Sequence, residues 1–325
     1  MRNRVDRRGA LLTMAGAAGL ASCGGSGETA RWRGGKRTVA VLRAPSYEAD
    51  LTDILWRGAQ LCGLEARGKR VLLKPNFVEF DAGTCINTNM AVVAAAYELF
   101  RKLGAAEVWI GEGPGHRRDT LYLAEEAGYF RAVKDFESRF VDLNRDEVAA
   151  VPGFLDDHEE MYFSKTLLAA DLIVSLPKMK THHWAGATLS MKNFFGLVPG
   201  AVYGWPKNPL HYQGIDASIV GLSRKFRNTF AIVDGIVGME GNGPIQGRAK
   251  PCGVVVMGGN LPAVDATCSR VMGLDPEKIR YLAMAADIGP ISEIEIEQRG
   301  ESPKSVMTPF AVTSNFESLR MGRES

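Results

Sequence analysis

An α/β protein with a mostly parallel sheet and helices on both faces is what this sequence predicts. Short runs rich in Val, Ile and Leu recur along the chain at lengths that suit buried strands. Longer stretches with apolar residues at helical spacing alternate with them, opened by Asn, Asp or Pro and closed by Gly. That alternation predicts strands joined by crossover helices, and no segment repeats. With 325 residues and 46% hydrophobic side chains, the chain has ample core for one large body, with room for two lobes around a cleft. Residues 38–290 are read as that body and 291–325 as a tail.

TVAVL at 38–42 is the first strand, and residues 47–61 are the helix after it. KRVLLK at 69–74 is the second strand, stopped by Pro75, which has no N–H to give a ladder. Asn87-Thr88-Asn89 starts a strong helix at 90–103, and Gly104 is its expected stop. EVWI at 107–110 runs into Gly111-Glu112-Gly113-Pro114-Gly115. A helix at 121–128 precedes a strand at 140–143, and residues 146–160 carry no regular pattern. DLIVSL at 171–176 ends at Pro177 and delivers a loop holding Lys178, Lys180, His182 and His183. A helical pattern follows Gly186 and stops at Gly196 and Pro199. Residues 216–225 form a helix, 229–233 a strand ending on Asp234-Gly235, and 238–247 a glycine-rich loop. GVVVM at 253–257 is the next strand, followed by a loop at Gly258-Gly259-Asn260, a helix at 262–272 and a last helix at 275–286.

In open α/β sheets ligands sit outside the carboxyl ends of the strands. Five exits carry polar, glycine-bearing or proline-bearing loops, at Lys74, Glu112, Lys178, Asp234 and Gly258, and are expected to share a cleft. Clustered ammonium groups repel one another, so they persist only where an anion or facing carboxylates offset the repulsion. Residues 171–204 are therefore the expected floor of a site. His182, Lys178, Lys180 and Lys192 are the catalytic candidates, the histidine to move a proton and the lysines to neutralise oxygen atoms. Lys178 and Lys180, two apart, share one side of an extended segment, whereas the adjacent His182 and His183 point to opposite sides. Lys74, Asn76, Glu112, Asn193 and His211 are expected to bind substrate. Asp234, Glu240 and Asp265 are expected to hold a divalent metal or to position water. Asp265 is the acid singled out first, because a carboxylate among small apolar neighbours is costly unless paired. Trp184, Trp205 and Tyr203 read as packing residues, and His116 and His158 as surface residues. The plainer alternative is that the charged loop only forms internal ion pairs.

Charge excludes a nucleic-acid surface. Beyond the first 22 residues, 35 basic groups face 36 acidic ones, and the lysines form one local cluster rather than a stripe. Residues 1–22 read as an export signal, with Arg7-Arg8 before a modest apolar stretch, resembling a twin-arginine leader. Leu20-Ala21-Ser22-Cys23 looks like a lipobox, so Cys23 is expected to carry a lipid anchor on an extracytoplasmic face, with residues 23–37 as a flexible tether. Cys62, Cys85, Cys252 and Cys268 show no C-x-x-C spacing, and no iron–sulfur cluster is expected.

Six ordered motifs resemble the family known as domain of unknown function 362, over about residues 38–290. They are Lys74-Pro75-Asn76, Gly111-Glu112-Gly113, Pro177-Lys178-Met179-Lys180-Thr181-His182, Met191-Lys192-Asn193-Phe194-Phe195-Gly196, Asp234-Gly235-Ile236 with Glu240-Gly241-Asn242-Gly243-Pro244, and Ala263-Val264-Asp265-Ala266. Many members of that family add a ferredoxin-like cysteine cluster, which this chain lacks; it is similar to the exported members without one. The expectation is a lipid-anchored enzyme acting on a small anionic carboxylate or phosphate with a divalent metal, its reaction open among hydrolysis, isomerisation and redox. A non-catalytic anion- or metal-binding lipoprotein, or a redox protein using an external cofactor, is the alternative.

Overall fold

The computed structural model describes residues 32–116, 119–155 and 158–322. The export signal and Cys23 lie outside the described residues; the last tether residue, Arg37, already opens the first strand.

In chain order the strands are β1 Arg37–Arg43, β2 Arg70–Pro75, β3 Glu107–Glu112, β4 Phe140–Asp142, β5 Val148–Pro152, β6 Glu160–Ser164, β7 Leu172–Leu176, β8 Lys178–His182, β9 Gly186–Thr188, β10 Thr229–Asn242, β11 Gln246–Gly258 and β12 Ile296–Gly300. The main sheet runs β12-β1-β11-β10-β7-β2-β3-β4, with β8 and β9 attached beside β10. Its block from β10 to β4 is parallel, and β11 is antiparallel to both β10 and β1.

Side chains alternate strictly across this sheet and separate two cores. Val39, Val41, Leu72, Ile173, Ala231, Val233, Val254 and Val256 face one, while Ala40, Leu42, Val71, Leu73, Leu172, Val174, Ile232 and Val255 face the other. The helices Ile215–Lys225 and Leu261–Val271 cover the first face, and Leu51–Leu61 and Met90–Lys102 the second. Asp50 and Asn89 cap the latter two, each side chain accepting a backbone N–H of the first turn. Helices on both faces of a largely parallel sheet are the architecture the alternation predicts.

Several local expectations change. The charged segment after Pro177 is a strand, because Lys178 and Lys180 pair with Asp234 and Met239 of β10. The glycine-rich stretch at 238–247 is the far half of a long β10–β11 hairpin. Since β11 runs back along β10, Gly258 pairs with Ala231 at the amino end of β10 and does not join the other four exits. Residues 146–160 contain β5 and the start of β6, which form their own small sheet. The expected last helix shortens to Arg280–Met284. The tail is integral: β12 pairs in parallel with β1, and Phe310 is fully buried.

Candidate functional site

The four remaining exits meet at one edge of the sheet, where two lysines are neutralised. Lys74 Nζ lies 2.6 and 2.7 Å from the two oxygens of Glu112, and also donates to Asn193 Oδ1 at 3.0 Å. Glu112 further accepts the N–H groups of Phe77 and Gly113, so this buried pair is saturated. Gly196 is glycine for this reason: a Cβ there would lie 2.1 Å from Glu112 Oε1 and 2.3 Å from Lys74 Nζ. Lys178 Nζ sits 2.5 Å from Asp234 Oδ2 and donates to the Tyr47 hydroxyl, which donates to Asp234 Oδ1. Burial first, and Asp234 second, push the Tyr47 phenol up, so it stays protonated. Lys178 is thus closed off behind the site, and for this residue the ion-pair alternative describes the geometry.

In front of these pairs lies a cleft of about 680 Å³ lined by Lys74, Lys180, Lys192 and Lys207. Among the described lining residues Glu112 is the one carboxylate, and it is already taken by Lys74. Lys180 Nζ donates to the Ile86 and Pro244 carbonyls at 2.9 and 3.4 Å, and Lys207 Nζ to those of Gly113 and Phe195 at 2.5 and 3.0 Å. Lys192 Nζ lies 3.5 Å over the Phe195 ring. Burial is the main force on all three, and neighbouring lysines add to it, bringing each down to about 7. Two further buried polar atoms on the lining, Asn76 Oδ1 and Thr188 Oγ1, have no hydrogen-bond partner among the described residues.

The histidines divide by tautomer. His182 Nδ1 accepts the backbone N–H groups of Trp184 and Ala185 at 3.0 and 3.2 Å, which leaves the proton on Nε2. Burial, then Lys192, His183, Lys180 and His211, hold its pKa down to about 2, so it is a neutral donor and not a base. His183 Nδ1 lies 2.7 Å from the Gly243 carbonyl, and His211 Nδ1 3.3 Å from that of Lys207. A carbonyl only accepts, so both carry the proton on Nδ1 and leave the Nε2 lone pair free. His182 and His183 do not point to opposite sides: β8 ends at His182, the chain turns, and the rings stack with centroids 5.0 Å apart. His182 thus presents an N–H and His183 a ring nitrogen lone pair from the same turn.

The three acids expected to hold a metal do not converge. Asp234 is spent on Lys178. Glu240 accepts the Ala311 N–H at 2.8 Å and faces Lys250 at 3.4 Å, which ties the tail to the hairpin. Asp265 accepts the N–H groups of Ser190 and Met191 at 2.8 and 3.1 Å and the Ser190 hydroxyl, and burial pushes its carboxyl up to about 7. It holds the turn that presents Lys192 and Asn193 and does not reach the cleft. Among the described residues no three His, Cys, Asp or Glu side chains gather around one point, so these acids do not fit a divalent cation.

Asn76, Asn193 and His211 do line the cleft. Trp184, expected to pack, lines it too and is 61% exposed. Lys207 went unmarked in the sequence, where it follows Trp205-Pro206 like any surface turn residue. Its backbone is left-handed, φ 68°, a costly conformation for a residue with a Cβ.

A thylakoid-associated protein of Synechocystis sp. is 30% identical over 266 residues, covering 78% of this chain and 80% of that protein. The lactate racemase apoprotein of Thermoanaerobacterium thermosaccharolyticum aligns over 74% of this chain with a TM-score of 0.45 and 15% identity. A Thermotoga maritima protein aligns over 70% with a TM-score of 0.38 and 16% identity. The chain spans 58% and 60% of those two structures' length, and likenesses at this level bear on neither chemistry nor ligand. The family described as "Domain of unknown function (DUF362)" matches residues 71–270, which carry all four of the cleft's lysines, and with the Synechocystis relative this makes the chain a member of that family.

Proposed function

We propose that the cleft binds a small organic anion, a carboxylate or a phosphate, and moves a proton on it. The observation that carries this reading is that Lys180, Lys192 and Lys207 line one cavity with no carboxylate partner among the described residues. Such a set is stabilised by a ligand that brings the missing negative charge. Lys180 and Lys207, their ammonium groups held by carbonyl oxygens, would receive the anion's oxygens. His182 Nε2–H would donate to charge developing on the ligand, and His183 Nε2 would take the proton.

Capture without chemistry uses the same lysines but has no need of His183. Incubating small 2-hydroxy and 2-oxo acids with the protein in D₂O separates the two. The enzyme reading expects wild type to place deuterium on the hydroxyl-bearing carbon of a hydroxy acid, or on the carbon next to the keto group of an oxo acid, and His183→Gln, which still binds the acid, to place none. Binding without exchange in wild type supports the capture reading, and absence of binding by any anion removes both.

We also propose that Cys23 carries a lipid and holds the body on an extracytoplasmic membrane surface. Expressed in a bacterial host, wild type then partitions into detergent and Cys23→Ala into the aqueous phase; equal partitioning would dismiss the anchor.

A further inference from the structure

We propose that Lys192 is a nucleophile that forms an imine with the carbonyl carbon of the anion held in this cleft, which makes the ligand class a small 2-oxo acid or an aldehyde phosphate. The inference rests on the anion-cleft reading above and extends it to a covalent step.

Of the four lysines on the lining, three are committed. Lys74 is bound by both oxygens of Glu112, while Lys180 and Lys207 each donate to two backbone carbonyls. A lysine that donates to two carbonyls has its nitrogen pinned by them, so it is not free to swing onto a carbonyl carbon. Lys192 alone has no hydrogen-bond acceptor among the described residues; its Nζ faces the Phe195 ring, which offers a face and no lone pair.

Its stem, by contrast, is fixed on both sides. Asp265 holds the N–H groups of Ser190 and Met191, and Asn193 Nδ2 donates to the Lys74 carbonyl and Ser175 Oγ at 3.0 and 3.1 Å. A free tip on an anchored stem is what a nucleophile needs. Burial and the charge of Lys74 bring its pKa down to about 7, so the neutral amine is populated near neutral pH. Lys180 and Lys207 lie close enough for the charge of Lys192 to lower theirs, which puts two anion-holding ammonium groups beside the reacting nitrogen.

In the step, the Nζ lone pair bonds to the carbonyl carbon and the C=O π pair moves onto oxygen. Both protons of the amine pass to that oxygen, which leaves as water, and a C=N bond replaces the C=O bond with no net redox change. The unpartnered Asn76 Oδ1 and Thr188 Oγ1 are polar positions from which the departing water can be held.

The experiment is reductive trapping. The purified chain is incubated with pyruvate, and separately with glyceraldehyde 3-phosphate, in the presence of sodium cyanoborohydride, whose hydride reduces an imine to a stable secondary amine. Peptide mass mapping then locates the adduct. The expected result is one adduct on Lys192, lost in Lys192→Arg and Lys192→Met, with both variants melting within a few degrees of wild type. Binding of inorganic phosphate is measured on wild type in parallel. Phosphate binding without a Lys192 adduct, or adducts spread over surface lysines, overturns the imine and leaves the anion cleft standing. Failure of both probes to bind overturns the reading beneath it as well.

Discussion

Glu112 and Lys74 are each about 1% exposed, so neither charge has water to fall back on. Glu112→Gln therefore leaves an unpaired buried cation beside Lys192, and a loss of about 3–5 kcal/mol is expected in denaturant unfolding. The double variant Glu112→Gln/Lys74→Met should recover part of it; a single variant as stable as wild type would contradict the pairing. The unpartnered lysines give a pH signature. Lys180, Lys192 and Lys207 titrate near about 7 in the folded chain, against about 10.4 for an unfolded lysine. Between those values the unfolded state binds more protons, so stability of the ligand-free protein rises with pH across that window and is lowest below it. Anion affinity follows the opposite course and falls as pH rises through about 7. Melting temperatures of the ligand-free protein that fall between about pH 7 and pH 10 would contradict the assignment. At this scale the sequence displays its charges but not their partners. Lys178, Lys180 and Lys192 stand out because like charges cluster, yet only the fold shows that Lys178 has an acid and that the other two have none among the described residues. Lys207 is invisible, since its role comes from a left-handed turn and from carbonyls of Gly113 and Phe195 on distant segments.

Among the elements, the β10–β11 hairpin shapes one wall of the cleft. Thr181 Oγ1 donates to the Gly241 carbonyl at 2.8 Å, and the His183 N–H to that of Gly243 at 2.9 Å, fastening the hairpin tip to the end of β8. A Cβ at Gly243 would lie 2.1 Å from the Thr181 carbonyl, so Gly243→Ala has to push the two apart. The expected cost is about 1–3 kcal/mol, and anion binding should weaken further because the Pro244 carbonyl that helps to hold Lys180 moves with the tip. A Gly243→Ala protein with unchanged melting and unchanged affinity would show that the tip does not position the site. Strand interiors were legible here and strand ends were not. Asp234-Gly235 reads as a stop, but β10 continues through a register shift between Gly235 and Val237, which turns the expected glycine-rich loop into a ladder. The same reversal moved Gly258 away from the site, because chain order does not reveal that β11 runs antiparallel.

Across the whole molecule, the tail completes the sheet. β12 covers the outer edge of β1, Ala311 N–H reaches Glu240, and Phe310 packs into the core. A chain ending at residue 290 exposes that edge and core, and should unfold cooperatively at a temperature lower by ten degrees or more, on the order of several kcal/mol. Retained melting would mean the tail is an appendage, as its polar composition suggests. The alternation of strands and helices announced the architecture from composition and periodicity alone. The partition of charge between closed ion pairs and an open cleft did not follow from it, since that depends on which strand lies beside which.

The central claim is that an anion completes the charge of Lys180, Lys192 and Lys207. It is tested most directly by calorimetric titration of phosphate and pyruvate at about pH 8 in buffers of different ionisation enthalpy. An observed enthalpy that varies with the buffer, and reports net proton uptake as lysines recharge around the bound anion, is the predicted result. Binding with no proton uptake, or no binding at that pH and at about pH 6, would contradict it.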